Sequence, residues 1–240
     1  MQPQRLCTTD GTSVRVARCT LALSAEPWSY AERHRDAIAA HWQRARVERP
    51  KLFDGPVHVL TAHELREGSL TGTFVRTDFK SFLYWCEHGA EGPMRDGFGS
   101  SLIRSSDGCV LLGRQSEGHL NAGFAYPPSG LIDPSDTTTG MVDIDASIAR
   151  ELEEETGLVG AALERRPGYV VTFSGPLVSI AIEWQSSLSA QALRDRILGH
   201  VARQADPELA DVVIVRDLAE VDDPTIPPYA RAKLRLVLSA

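Results

Sequence analysis

The sequence predicts the α/β (α+β) class, as an α/β/α sandwich around a mixed sheet. Three observations point there. Strand-like and helix-like segments alternate without the regular βαβ spacing of a Rossmann or barrel fold. The 240 residues, 42% of them hydrophobic, suffice for a full core. One helical segment, Asp143 to Thr156, carries an apolar stripe beside a dense run of acids, the pattern of a helix lying between a sheet and a cleft.

Along the chain, Val14 to Ser24 is apolar and β-branched enough for a strand. Tyr30 to Val47 has Ile38, Trp42 and Val47 spaced like one helical face, and Pro50 ends it. Asp54-Gly55-Pro56 is a turn before a strand at Val57 to Thr61. A short strand follows at Leu70 to Arg76, and Thr77-Asp78 caps a helix through Phe79, Phe82, Leu83 and Trp85. Glu91 to Phe98 reads as a connection. Ser100 to Arg104 and Cys109 to Gly113, around Ser106-Asp107-Gly108, form a hairpin. Gln115 to Thr139 is polar and too long for an idle loop. After the acidic helix come strands at Tyr169 to Phe173 and Leu177 to Trp184, and a helix at Ala190 to Arg203. A strand at Asp211 to Val215 and a helix at Pro228 to Leu238 complete the series. The expected division is an α/β extension over 1–95 packed on a core domain over 96–240.

Net charge is −7, which argues against a nucleic-acid surface. It leaves small anionic substrates open, because a bound cation reverses the local sign. Cys7, Cys19, Cys86 and Cys109 form no CxxC pair, which argues against a disulfide framework or zinc site and fits a reducing cytoplasm. No apolar run approaches the roughly 18 residues of a membrane span, and the N-terminus lacks a leader's apolar region. A cytoplasmic protein is expected.

Residues 150–158 read Arg-Glu-Leu-Glu-Glu-Glu-Thr-Gly-Leu. In a helix, Glu151 repels Glu154 and Glu155 by roughly 0.2–0.5 kcal/mol per pair, and the C-terminal dipole disfavours all three. On the helical wheel Ile144, Ile148 and Leu152 form one stripe. Glu155 falls within it, Glu151 at its edge and Glu154 just outside, while Glu153 points away. Acids so placed border the core side, and a hard divalent cation would offset their repulsion.

This stretch resembles the second half of the Nudix box, R-E-U-x-E-E-x-G-U, at every specified position. Val110 to Arg114 resembles the family's core strand, and Tyr126-Pro127-Pro128-Ser129-Gly130 its Pro-Gly-Gly strand end. The resemblance covers about Gly99 to Leu238 and implies a Nudix-type sandwich. The first half of the box departs from its G-x5-E-x7 spacing. With Gly130 as the glycine, the acid is Asp136, followed by 13 residues before Arg150. Counting back instead puts Val142 where glutamate is expected, with Asp143 and Asp145 nearby; Asp143 reads best as a helix cap. An insertion, Pro134 to Gly140, lengthens the loop.

The resemblance implies a pyrophosphohydrolase using Mg2+ or Mn2+ to cleave a nucleoside diphosphate linked to another moiety. Glu154 and Glu155 would be direct metal ligands, and Glu151 a ligand or the orienter of the attacking water. Ser129 would offer its backbone carbonyl to the metal, and Arg150 would fix an acid's rotamer. For the base, Glu208 comes first and Glu183 second. Arg114 reads as a phosphate contact or a surface salt bridge, Gly130 as part of the substrate site, and His119 as a solvated histidine sooner than a catalytic one. The front segment, with His41-Trp42, Arg49 to Gly55 and Thr77-Asp78-Phe79-Lys80, loosely resembles the UDP-sugar pyrophosphatase-like subgroup. Trp42, Phe53 and Phe79 there are either core residues or pocket aromatics. A homodimer would be ordinary for the family. The competing function is a Nudix-like binding or regulatory module without turnover, motivated by the altered loop.

Overall fold

The computed structural model describes residues 9–159 and 163–239; Cys7 and the N-terminal residues read for a leader lie outside them. The front segment runs β1 (Thr12–Val16), β2 (Arg18–Ser24), α1 (Ser29–Arg33), α2 (Arg35–Glu48), β3 (Pro56–Arg66), β4 (Ser69–Asp78) and α3 (Phe79–Glu87). The rest runs β5 (Asp96–Arg104), β6 (Val110–Gln115), β7 (Ala125–Tyr126), β8 (Ser129–Leu131), β9 (Thr137–Thr138), β10 (Met141–Val142), α4 (Ile144–Thr156), β11 (Leu163–Arg165), β12 (Tyr169–Ser174), β13 (Leu177–Ser186), α5 (Ala190–Val201), β14 (Leu209–Val215) and α6 (Pro228–Leu238).

Among the described residues the strands form two mixed sheets. The larger runs β1-β12-β13-β5-β6-β14, with β11, β7 and β8 attached; the smaller runs β3-β4-β2-β10-β9. Both are mixed because each holds one parallel pair, β13 with β5 and β2 with β4. On one face of the larger sheet Ile144 and Ile148 of α4 pack with Val171, Val178 and Ile180. On the other, Leu234 and Val237 of α6 pack with Val170 and Ala181. Alternate residues of the same strands thus serve opposite faces, as the pleat requires. This is the expected α/β/α sandwich.

The run Val14 to Ser24, expected as one strand, is two. It bends at Ala17, whose N–H bonds the Gly68 carbonyl at 2.7 Å. β1 then pairs with β12 in the larger sheet and β2 with β4 in the smaller. The expected single helix Tyr30 to Val47 is also two. His34 leaves helical geometry (φ −108°, ψ 16°) and its ring lies 4.3 Å from that of Tyr30. Glu91 to Phe98 is not all connection, since β5 begins at Asp96 and is buried along nearly its whole length. Asp78 caps α3 as expected, accepting from the Ser81 N–H.

Lys233 of α6 is fully buried, its Nζ 2.5 Å from both Ser100 Oγ and Ser179 Oγ. Burial lowers its pKa from 10.5 to about 7. Between those values the unfolded chain holds the extra proton, so Lys233 costs stability that is recovered as pH rises from about 7 toward 10. Lys233→Met should therefore have its largest Tm advantage over the parent near neutral pH, shrinking toward about pH 10. Scanning both proteins across that range checks this; parallel profiles would contradict it.

Candidate active site

Helix α4 begins at Asp143, whose carboxylate accepts from the Ala146 N–H at 3.0 Å, so Asp143 is a cap as expected. It ends at Gly157 in the left-handed region (φ 65°), and a Cβ there would sit 2.4 Å from His200 Nδ1. Both facts require glycine. His200 and Gln204 in turn contact the Glu154 carbonyl at 3.1 and 2.8 Å. α5 and its following turn so hold the acid-bearing end of α4.

The acids separate by environment. Glu155 is buried; its Oε1 accepts from the Ser129 N–H at 2.9 Å, and its Oε2 has no hydrogen-bond partner among the described residues. Burial first, then Glu208, pushes its pKa well above the ordinary carboxylate value, against the pull of the Ser129 N–H. Glu151 presses on Gly130, where a Cβ would lie 2.0 Å from its carboxyl carbon. Burial is again the main cause of its rise to about 7; Arg150 opposes it, and Glu154 and Glu208 add to it. Glu154 is 60% exposed, so Glu153 is not alone in facing solvent. Together Glu151, Glu154, Glu155 and Glu208 line one cavity of about 380 Å3.

Arg150 holds this group together. It meets Glu151 at 2.8 Å, Glu154 at 3.3 Å and Asp136 at 3.1 Å. Asp136 is buried and also accepts from the Asp133 N–H at 3.0 Å. The insertion does not break the link. Its Pro134–Asp136 form a 3-10 turn and its Thr137–Thr138 form β9, which pairs with β10 just after it, and β10 joins β2 of the smaller sheet. Sequence reasoning gives Asp136 no working role, although its place six positions after Gly130 is the signal that marks it.

A second cavity, about 540 Å3, continues from the acids and includes Ser129, Gly130, Glu151 and Glu208. The front segment reaches it through Phe53 and Phe79, whereas Trp42 is core. His119 lines it too, with Nε2 buried and unpartnered, so it is not simply solvated. Two expected residues lie elsewhere. Arg114 bonds the Gly123 carbonyl at 2.8 Å and lines neither cavity. Glu183 is held by Arg15 (2.9 Å) and Arg104 (3.4 Å). Arg104 also bonds the Val237 carbonyl of α6, which puts Glu183 on the sheet face opposite α4.

Among the described residues no three His, Cys, Asp or Glu side chains already form a metal cage. The donor set nevertheless suits a hard cation. It is all carboxylate oxygen, mutually repulsive, with one buried oxygen of Glu155 unsatisfied.

No family model matches the chain, and no curated protein matches it. Solved structures do. A Nudix hydrolase from M. smegmatis, RenU, is 19% identical over 59% of this chain and 83% of that one, with TM-score 0.42. The MutT protein from Methanosarcina mazei Go1 is 24% identical over 60% of this chain and 92% of that one, with TM-score 0.37. Shewanella oneidensis NrtR, which is also known in complex with a 27mer DNA, is 21% identical over 59% of this chain and 63% of that one, with TM-score 0.36. The chain is thus similar in fold to Nudix hydrolases, at low identity.

Replacing Asp136 with Asn keeps the shape but removes the charge facing Arg150. The variant should lose about 1–3 kcal/mol of unfolding free energy. Urea denaturation measures this, and an unchanged midpoint would mean the ion pair contributes nothing.

Proposed function

We propose that the chain is a divalent-cation-dependent pyrophosphohydrolase. Its substrate would be a nucleoside diphosphate linked to another moiety, a nucleotide sugar or related compound. Its products would be a nucleoside monophosphate and a phosphorylated partner. The observation that carries this is the convergence of Glu151, Glu154, Glu155 and Glu208 on one cavity, with a buried Glu155 oxygen left unsatisfied.

Glu154 and Glu155 would hold Mg2+ or Mn2+, with Glu151 and the Ser129 carbonyl as further oxygen donors. When bound, the cation neutralises phosphate oxygens and acidifies an attacking water. The remaining work falls to the chain. Arg150 fixes the Glu151 rotamer through its 2.8 Å contact and is itself fixed by Asp136. Gly130 leaves room for the Glu151 carboxylate against the strand. Glu208, on the cavity wall, is the candidate base that takes the water's proton. Glu183 has no part in this reading, because two arginines occupy it on the other face. Ser129 and Gly130 line the larger cavity together with Glu151 and Glu208.

A binding module without turnover drew its motive from the altered loop. That motive weakens, since the insertion's Thr137–Thr138 pair in order with β10 and its Asp136 meets Arg150.

The test is a panel of nucleotide sugars, ADP-ribose, coenzyme A, dinucleotides and nucleoside triphosphates, each with Mg2+ and with Mn2+. Cation-dependent release of a nucleoside monophosphate is expected. Glu154→Gln and Glu155→Gln should each lower kcat by orders of magnitude while keeping a native circular dichroism spectrum. Hydrolysis of none of the panel would overturn the proposal, and full activity in either variant would remove the metal assignment.

A further inference from the structure

The turn between α5 and β14 carries Glu208 and puts a fifth carboxyl group on the acidic cavity. Asp206 lines that cavity together with Glu151, Glu154, Glu155 and Glu208. Arg150 answers the charge of Glu151 and Glu154. Asp206 is answered from the front segment. Lys51 Nζ lies 2.8 and 3.0 Å from its two carboxylate oxygens, across 155 positions of sequence.

Lys51 belongs to a strap, residues 49–54, that the front segment fixes at both ends. Arg49 meets Glu87 of α3 at 2.7 Å. Asp54 accepts from the Lys80 N–H at 3.1 Å and from Lys80 Nζ at 2.9 Å. Between these anchors Leu52, with Phe79 and Leu120, packs against Trp42, Ala45 and Leu83. The Lys51 stem crosses Gly118 of the loop after β6, where an added Cβ would lie 3.7 Å from Nζ and 3.8 Å from Cε. A strap so held presents its ammonium at a set place. The turn it reaches is anchored to three different elements. Gln204 donates to the Glu154 carbonyl of α4 at 2.8 Å, and the Glu208 carbonyl accepts from the Ser116 N–H at 2.8 Å. Asp206, between them, is tied to Lys51.

We infer that Lys51 is a positioning residue: by neutralising Asp206 it braces the turn that carries Glu208 against α4. Without that charge Asp206 would face four other carboxyl groups around one cavity of about 380 Å3, and like charges so crowded push a turn outward. The two side chains are 56% and 66% exposed. An ion pair that open to water shifts an equilibrium by about fivefold at most. The brace therefore biases the turn without locking it, which suits a turn whose acid must meet a substrate and let a product go. The role given to Glu208 rests on the pyrophosphohydrolase reading; the brace itself does not.

The experiment is hydrogen–deuterium exchange on the full chain at low ionic strength without divalent cations, read over residues 116–118 and 204–209. Lys51→Met keeps the stem over Gly118 and drops the charge. It should speed exchange in both segments by about threefold to fivefold and leave β12 and β13 unchanged. Lys51→Arg should restore the parent rate. In an Asp206→Asn background Lys51→Met should have no effect on either segment. At about 1 M NaCl, where charges are screened beyond about 3 Å, the parent and Lys51→Met should converge. Parent-like exchange in Lys51→Met at low salt, or equal loosening in the Asp206→Asn background, overturns the inference. Where a substrate is found, Lys51→Met should lower kcat more than it raises KM, and Lys51→Arg should recover it; a loosened turn with full kcat also overturns the inference. Loosened segments in a chain that hydrolyses nothing keep the brace and sink the hydrolase. Hydrolysis with unchanged exchange in Lys51→Met does the reverse.

Discussion

One guanidinium makes the acidic end of α4 possible. Arg150 lies against Asp136, Glu151 and Glu154 at once. Without it, three carboxylates on adjacent turns would face each other, the helix dipole and the Glu208 charge with nothing to offset them. The opposition is incomplete. Glu151 is pushed up to about 7 and Glu155 well above an ordinary carboxylate, mostly by burial, which on Glu151 outweighs the pull of the adjoining Arg150. The folded chain therefore gives up stability at this corner, as sites built for charged ligands commonly do.

The same arginine joins distant parts of the chain. Asp136 precedes the β9–β10 pair, β10 pairs with β2, and β2 pairs with β4. The smaller sheet thus runs by hydrogen bonds into the segment that holds Arg150. In the other direction, β1 crosses from the front segment into the larger sheet through the bend at Ala17. The two sheets exchange strands both ways, and the core around Ile144 and Ile148 includes Leu21, Leu60 and Phe74 of the smaller sheet. The front segment is accordingly in a position to shape the cavity beside the acids.

Much of this was legible in the sequence because it was local. The cap at Asp143, the stop at Gly157 and the apolar stripe of α4 each follow from residues within a few positions of one another. So did the crowding of Glu151, Glu154 and Glu155. The bend at Ala17 was not legible, because an uninterrupted apolar run looks the same whether it serves one sheet or two. The role of Asp136 was hidden by thirteen intervening residues, which spacing treats as a break but a hairpin simply loops out. Glu183 lies within β13, where the pleat turns it to Arg15, whereas Glu208 lies just before β14 and faces the cavity, a difference that residue type alone does not reveal.

Glu208 shows why position outweighs residue type here. It lines the acidic cavity and the larger one, and its backbone carbonyl accepts from the loop that carries His119 and Asn121. Its side chain therefore faces the group to be cleaved on the proposed reading, while its main chain holds the loop after β6. A shift of that strand end would move both together, since one residue's backbone sets both positions. The loop after β6 is then placed beside the acids by backbone contacts, the Ser116 to Glu208 hydrogen bond and the Gln115–Leu209 pairing next to it, so the site's geometry is set by the β6–β14 ladder.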